Sequence, residues 1–216
     1  MKVSLSSQID WQVLTTTRPP LGNVPPALRM RAARWTVDAG DVLFRIGDRV
    51  TSILYVLSGE VRLVRRGRLG EEIVVQRSCG EFFAEASLNS ITYHCDVVVA
   101  EKGELLCFPA STFREVVDSD KTFRDAWLQH LARELRRLRS QCERMNLRSA
   151  TQRIFHYIES EGNNGEIRLT QTKKAWANEL GLTHEALYRA LNRLHSDGML
   201  VVDGPTLKIR GDQVTG

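Results

Sequence analysis

Cysteine is scarce in this 216-residue chain: Cys79, Cys95, Cys107 and Cys142 stand far apart. They form no CxxC pair and no Cys/His spacing suited to zinc, which excludes a disulfide framework and leaves reduced, mostly buried thiols as the expectation. Long apolar runs are missing as well, so nothing approaches a membrane span. The opening "MKVSLSSQIDWQ" has no apolar core of a secretory leader. A cytoplasmic protein with no membrane partner is the default expectation. There is no internal repeat and no low-complexity tract. Charge of one sign is not in great excess either: 30 basic against 26 acidic residues leave a formal +4, which permits a polyanionic partner without demanding one.

What is present falls into three regions. Residues 1–39 are weakly patterned, and the paired prolines of "RPPLGNVPPALRMRAARW" break regular structure, with a short helix expected after Pro26. Residues 40–117 read as short strands separated by turns. Glycine recurs at 40, 47, 59, 70 and 80 between the β-branched runs "TSILYVLSG", "EVRLVRR", "EEIVVQR", "CDVVVA" and "ELLCFP". Such spacing predicts a sandwich or barrel, with "RRGRLGEE" as a hairpin tip. From Asp118 a helical period takes over. Leu128, Leu131, Leu135, Leu138, Cys142 and Met145 step by 3, 4, 3, 4, 3, a heptad seam about 26 Å long at ~1.5 Å per residue. Eight arginines and three acids between 124 and 153 make its outer face basic. So narrow a seam favours pairing with a second copy over packing on the chain's own β region.

After Ser149, "SATQRIFHYIES" reads as a short helix with Ile154, Phe155 and Ile158 inside, "GNNGE" as a turn and "IRLTQ" as a strand. "TKKAWANELGLTHEALYRALNRL" fits a helix–turn–helix. Thr172 and Thr183 cap the two helices, Trp176 and Leu180 face the core, Ala177 permits close approach, and Gly181 suits the turn. Leu187, Ala190, Leu191 and Leu194 form the buried stripe of the second helix, leaving His184, Glu185, Tyr188, Arg189 and Asn192 outward. "GMLVVDGPTLKIR" is a two-stranded wing turning at Asp203-Gly204.

That outward set suits a major groove. Arg189 can donate two hydrogen bonds to guanine, and Glu185 can accept from cytosine or hold the guanidinium. Lys173 and Lys174 are placed for phosphates, and His184 and Tyr188 for a base or a phosphate. Read alone, Glu185 and Arg189 are an ordinary exposed i,i+4 pair, worth a few tenths of a kcal/mol. Capped turn, wing and seam together favour double-stranded DNA. The region from 149 onward has eight basic and eight acidic residues, so affinity would depend on local placement and on two copies binding together.

Assembled in this order, the parts resemble the Crp/Fnr family of bacterial transcription regulators. "GDVLFRIGDRVTSILYVLSGEVRLV" resembles the family's cyclic-nucleotide-binding-like jelly roll, "GEFFAEASL" its phosphate-binding cassette, and "LGLTHEALYRALNRLHSDGML" its recognition helix. The resemblance implies an α+β protein in three parts: a sensor β-roll over 1–117, a dimerisation helix over 118–147 and a winged helix–turn–helix over 148–216. It implies a homodimer on a near-palindromic site, with RNA polymerase as a further partner and no catalysis. The DNA contacts expected are Lys173, Lys174, Thr183, His184, Glu185, Tyr188, Arg189 and Asn192. The dimer contacts expected are Leu128, Leu131, Leu135, Leu138, Cys142 and Met145.

The effector positions implied are Glu85, His94, Cys95 and Leu138. Here the chain departs from the cyclic-AMP binders. His94-Cys95 stands where they carry arginine and a hydroxyl residue, Ala84 replaces a glycine, and Leu138-Arg139 replaces small hydroxyl residues. Without the bidentate fork of an arginine, cyclic AMP is disfavoured. No cysteine precedes Cys79, so the iron–sulfur cluster of other members has no ligands, and no metal is assigned. Haem at His94-Cys95 is a minor alternative, because neighbours on a strand face opposite ways. The alternative from another class is a cupin-like β-roll that binds a small molecule and has no DNA function.

Overall fold

A computed structural model of the chain describes residues 9–68, 70–169 and 171–210. They divide into two compact units, Met1–His130 and Leu131–Gly216. The architecture is mixed α+β.

The first unit is an antiparallel roll. Its strands are β1 (Ala33–Val37), β2 (Val42–Phe44), β3 (Ser52–Arg66), β4 (Glu72–Ser78), β5 (Phe82–Phe83) and β6 (Asp96–Pro109), in the order β1-β6-β3-β4, with β2 on β6 and β5 on β3. The lead-in is more ordered than its prolines suggest. Helix α1 (Trp11–Thr17) is capped by Asp10, whose carboxylate accepts from Val13 N at 3.0 Å. Helix α2 (Pro26–Arg29) begins on a proline, as expected, and β1 pairs with β6 from Ala33 to Val37.

Four of the short runs are in fact two long strands. "TSILYVLSG" and "EVRLVRR" join in β3, and "CDVVVA" and "ELLCFP" join in β6. Gly59 is no turn between strands: it takes φ 79° in the middle of β3, where the register against β6 shifts repeatedly. A β-carbon there would stand 2.6 Å from the Glu101 carbonyl oxygen, and one on the facing Gly103 would overlap the Ser58 carbonyl. The glycines let two bulged backbones touch. The "RRGRLGEE" tip does close a hairpin, through Gly67 N donating to Glu71 O at 2.9 Å.

Residues 110–117 are not strand. Helix α3 (Ala110–Ser119) follows β6 directly and buries Phe113 and Val116. Phe113 joins Phe82, Phe108, Phe123 and Trp127 in an aromatic cluster, with Phe82 and Trp127 centroids 5.3 Å apart at 89°. Leu54, Val56, Phe83, Val97 and Leu105 fill the interior of the roll. Of the four thiols, Cys95 and Cys107 are buried, whereas Cys79 and Cys142 are exposed, so burial is less general than expected.

Helix α4 (Lys121–Asn146) runs 26 residues without a glycine or proline. One face of its first turns packs on the roll through Phe123, Trp127 and His130. The leucine seam lies on another face, and Leu128, Leu135, Leu138 and Met145 are 56%, 49%, 47% and 49% exposed. Packing on the chain's own β region and an uncovered seam therefore coexist on one helix.

The second unit continues with α5 (Ala150–Glu161), β7 (Glu166–Arg168), α6 (Lys173–Glu179), α7 (His184–Ser196), β8 (Leu200–Asp203) and β9 (Thr206–Ile209). A reciprocal capping box starts α5: Ser149 Oγ accepts from Gln152 N at 3.1 Å and Gln152 Oε1 accepts from Ser149 N at 3.2 Å. Ile154 and Ile158 are fully buried, and Phe155 only partly. The wing turns at Gly204-Pro205, and β7 adds a third strand beside β9. Trp176, Leu180, Leu187, Leu191, Leu194 and Leu207 form the core of this unit.

Candidate nucleic-acid interface

Helix α6 begins at Thr172, whose hydroxyl accepts from Ala175 N at 3.2 Å. Trp176, Ala177 and Leu180 are buried, and Gly181 turns the chain at φ 63°. Thr183 then caps α7, accepting from Ala186 N at 3.2 Å. Leu187, Ala190, Leu191 and Leu194 are all buried, so α7 is fixed by one whole face. The opposite face carries His184, Glu185, Tyr188, Arg189 and Asn192, all exposed. Lys174 is exposed at the start of α6, and Lys173 is half-buried.

The carboxylate of Glu185 is held mainly by the helix start and only secondarily by Arg189. Its own backbone N–H and the Thr183 hydroxyl hold its pKa below the ordinary carboxylate value, with Arg189 a lesser cause. An anion at a helix N-terminus is favoured in any case. Arg189 is exposed on the same face of α7.

Two arginines with structural roles escaped the sequence reading, which counted both as outer basic face. Arg153 donates from Nη1 to the Leu180 and Gly181 carbonyls at 3.0 Å each, and from Nε to the Leu147 carbonyl at 3.0 Å. Its Nη2 reaches the Met145 carbonyl at 3.4 Å. One guanidinium therefore ties the end of α4 to the turn between α6 and α7. The Met145 thioether lies against the same turn, 2.9 Å from where a β-carbon on Gly181 would stand. Met145 was expected in the dimer seam, and part of its surface serves this contact instead.

Arg144 is 1% exposed. It donates to Ser160 Oγ at 3.0 Å, pairs with Glu161 at 3.4 Å and lies 4.7 Å from the Tyr157 ring. Burial, then the Glu179 charge, pushes the Tyr157 hydroxyl far above its ordinary value. Hydrogen bonds to carbonyls leave no periodic signature, so nothing in the sequence pattern marked these contacts.

The implied effector residues are scattered among environments. Glu85 is half-buried in a short 3-10 turn, Glu85–Ser87. Before it, Ala84 takes φ 66°, ψ 9°, the left-handed conformation that a glycine would adopt without strain. The Nδ1 of His94 lies 2.8 Å from Ser87 Oγ. Cys95 is buried in the core of the roll. Leu138 is exposed on α4. Beside His94 a groove of about 480 Å³ is lined by Val64, Arg65, Arg66, Tyr93 and Asp96, in which Arg65 donates to the His94 carbonyl at 3.2 Å. His94 and Cys95, at the positions the resemblance assigns to the phosphate, carry no guanidinium, and the arginines that line the groove beside them are Arg65 and Arg66. Among the described residues no three His, Cys, Asp or Glu gather around a metal position, and no helix is long and apolar enough to cross a membrane.

Comparison with known proteins agrees with this layout. Residues 34–120 match the model of the cyclic nucleotide-binding domain. The fumarate and nitrate reduction regulatory protein of Escherichia coli K12 is 23% identical over 186 residues, covering 82% of this chain and 74% of that protein. Among solved structures, FixK2 from Bradyrhizobium japonicum superposes with a TM-score of 0.62 at 19% identity, covering 83% of this chain and 93% of its own. DNR from Pseudomonas aeruginosa does so with a TM-score of 0.54 at 22% identity, covering 95% and 96%.

Proposed function

We propose that the chain is a transcription regulator of the Crp/Fnr type that works as a homodimer, pairing through the α4 seam and reading two half-sites of a near-palindromic operator with its α7 helices. The observation that carries the reading is the face of α7. A helix capped by Thr183 and buried along Leu187, Ala190, Leu191 and Leu194 presents Glu185 and Arg189 outward, one turn apart. Arg189 takes a guanine through O6 and N7, and Glu185 accepts from the paired cytosine. Lys174 and the start of α6 engage the phosphates, with Asn192 further along the groove. Two such helices about 34 Å apart match one turn of duplex.

The uncovered leucines of α4 support pairing, since Leu128, Leu135 and Leu138 are large apolar side chains left in water on one stripe. The roll then acts either as a sensor of an effector other than a cyclic nucleotide held by an arginine fork, or as a fixed support. The regulators among its relatives weigh against the cupin-like alternative.

Selection from random duplexes tests the proposal. The full chain should recover an inverted repeat, and Arg189→Ala should lose discrimination at one base pair per half-site, by roughly 1–3 kcal/mol. Recovery of no inverted repeat, or of the same site by the variant, overturns it.

A further inference from the structure

We propose that Tyr188 reads the C5-methyl of a thymine next to the base pair taken by Glu185 and Arg189, with Lys173 as its positioning residue. The inference rests on the DNA-reading assignment above.

Tyr188 stands three residues after Glu185, turned about 60° from it around the helix, and one residue before Arg189. It is 38% exposed, so the ring faces outward on the reading side of α7. Yet it is held from two directions. The His184 ring centroid lies 4.6 Å away at 57°, and the Lys173 ammonium lies 5.5 Å from the ring centroid. Lys173 comes from the start of α6, so the contact joins the two helices of the motif. Around the ring is a shallow cavity of about 160 Å³, lined also by Leu191, Asn192, His195 and Val202.

A tyrosine has few rotatable bonds, and a cation over one face together with a ring beside it restricts those few. The result is a stiff apolar group presented where base edges would lie. Bases in a duplex are stacked on each other and offer no face to an aromatic ring. Of the groups exposed in the major groove, only the thymine methyl is apolar. The competing use of Tyr188 is as a hydroxyl donor to a phosphate, which would need the oxygen and not the ring.

The test uses the full chain and its selected operator at one fixed salt concentration, because affinity varies steeply with salt. Each thymine of a half-site is replaced in turn by deoxyuridine, which lacks the methyl. The wild type should lose about three- to fivefold in affinity at one thymine, the equivalent of burying one carbon at ~0.8 kcal/mol. Tyr188→Phe should keep that penalty. Tyr188→Ala should abolish it while still preferring the base pair read by Arg189. Lys173→Gln should weaken binding to all duplexes and shrink the penalty, whereas Lys173→Arg, which retains a cation over the ring, should restore it.

A wild type that selects a site lost in Arg189→Ala, yet is indifferent to every thymine methyl, overturns this inference and leaves the proposed function standing. So does a Tyr188→Phe variant that behaves like Tyr188→Ala, which would assign the role to the hydroxyl. A wild type that selects no site overturns both.

Discussion

The Arg153 guanidinium meets the Gly181 carbonyl oxygen at 3.0 Å, and the same nitrogen meets Leu180 O at the same distance. Its other nitrogens hold carbonyls at the end of α4. The turn that sets the angle between α6 and α7 is thus fastened to the helix that carries the leucine seam. Replacing Arg153 by glutamine should destabilise the C-terminal unit by roughly 1.5–3 kcal/mol, the usual range for hydrogen bonds to a charged group. Urea unfolding followed by the fluorine resonance of 5-fluorotryptophan at position 176, resolved from the three other tryptophans, measures it. An unchanged midpoint would mean that water serves those carbonyls equally well.

Ala84 is held left-handed at φ 66° inside a buried corner of the roll. For a residue with a β-carbon that conformation costs about 1–2 kcal/mol, and glycine escapes it at an entropic cost of roughly 0.4–1 kcal/mol in the unfolded chain. Ala84→Gly should therefore raise the stability of the first unit slightly, by up to ~1 kcal/mol. Thermal unfolding monitored at the roll should show a higher Tm. A lowered one would mean that the methyl group packs better than the strain costs.

The stripe of Leu128, Leu135 and Leu138 is solvent-exposed in one chain. If it pairs with a second copy, Leu135→Glu places two carboxylates opposite each other in an apolar seam. Sedimentation equilibrium should then find a dimer for the wild type and a monomer for the variant. Operator affinity should fall as well, because two half-sites would no longer be joined. A variant that remains dimeric would move the pairing surface elsewhere.

Glu185 has a folded pKa below its unfolded one, held down first by its own backbone N–H and then by Thr183. A depressed carboxylate contributes stability above the unfolded value and loses it as pH falls through the folded value. Glu185→Gln should thus be slightly less stable than wild type at neutral pH, with the difference vanishing on acidification through the depressed pKa. A difference that persists or grows in acid would require another cause.

The helix–turn–helix was legible because its signals are local. Thr172, Thr183, Gly181 and the 187–190–191–194 stripe each act within a few residues, and each is found in its expected role. The exposure of the leucine stripe was legible for the same reason. The β-roll was legible as a class but not in its strands. Gly59 resembles a turn residue in sequence, whereas its work, with Gly103, is to let two strands pass closely, a relationship 44 positions apart. Helix α3 was read as strand because "ELLCFP" runs straight into it with no polar break. Arg144 and Arg153 looked like solvent charges, and only the docking of α5 against the end of α4 encloses them.

The close passage at Gly59 and Gly103 carries a consequence for how this roll can vary. Its bend is specified by hydrogen atoms where every other residue type has a methyl or more, so neither position can drift alone. An alanine at 103 would have to displace the main chain at Ser58, and that shift would travel along β3 in both directions, to the hairpin at one end and to Tyr55 of the aromatic cluster at the other. The curvature of the roll is therefore an all-or-nothing property of two empty spaces, and its mutational tolerance should drop to nearly zero at those two points.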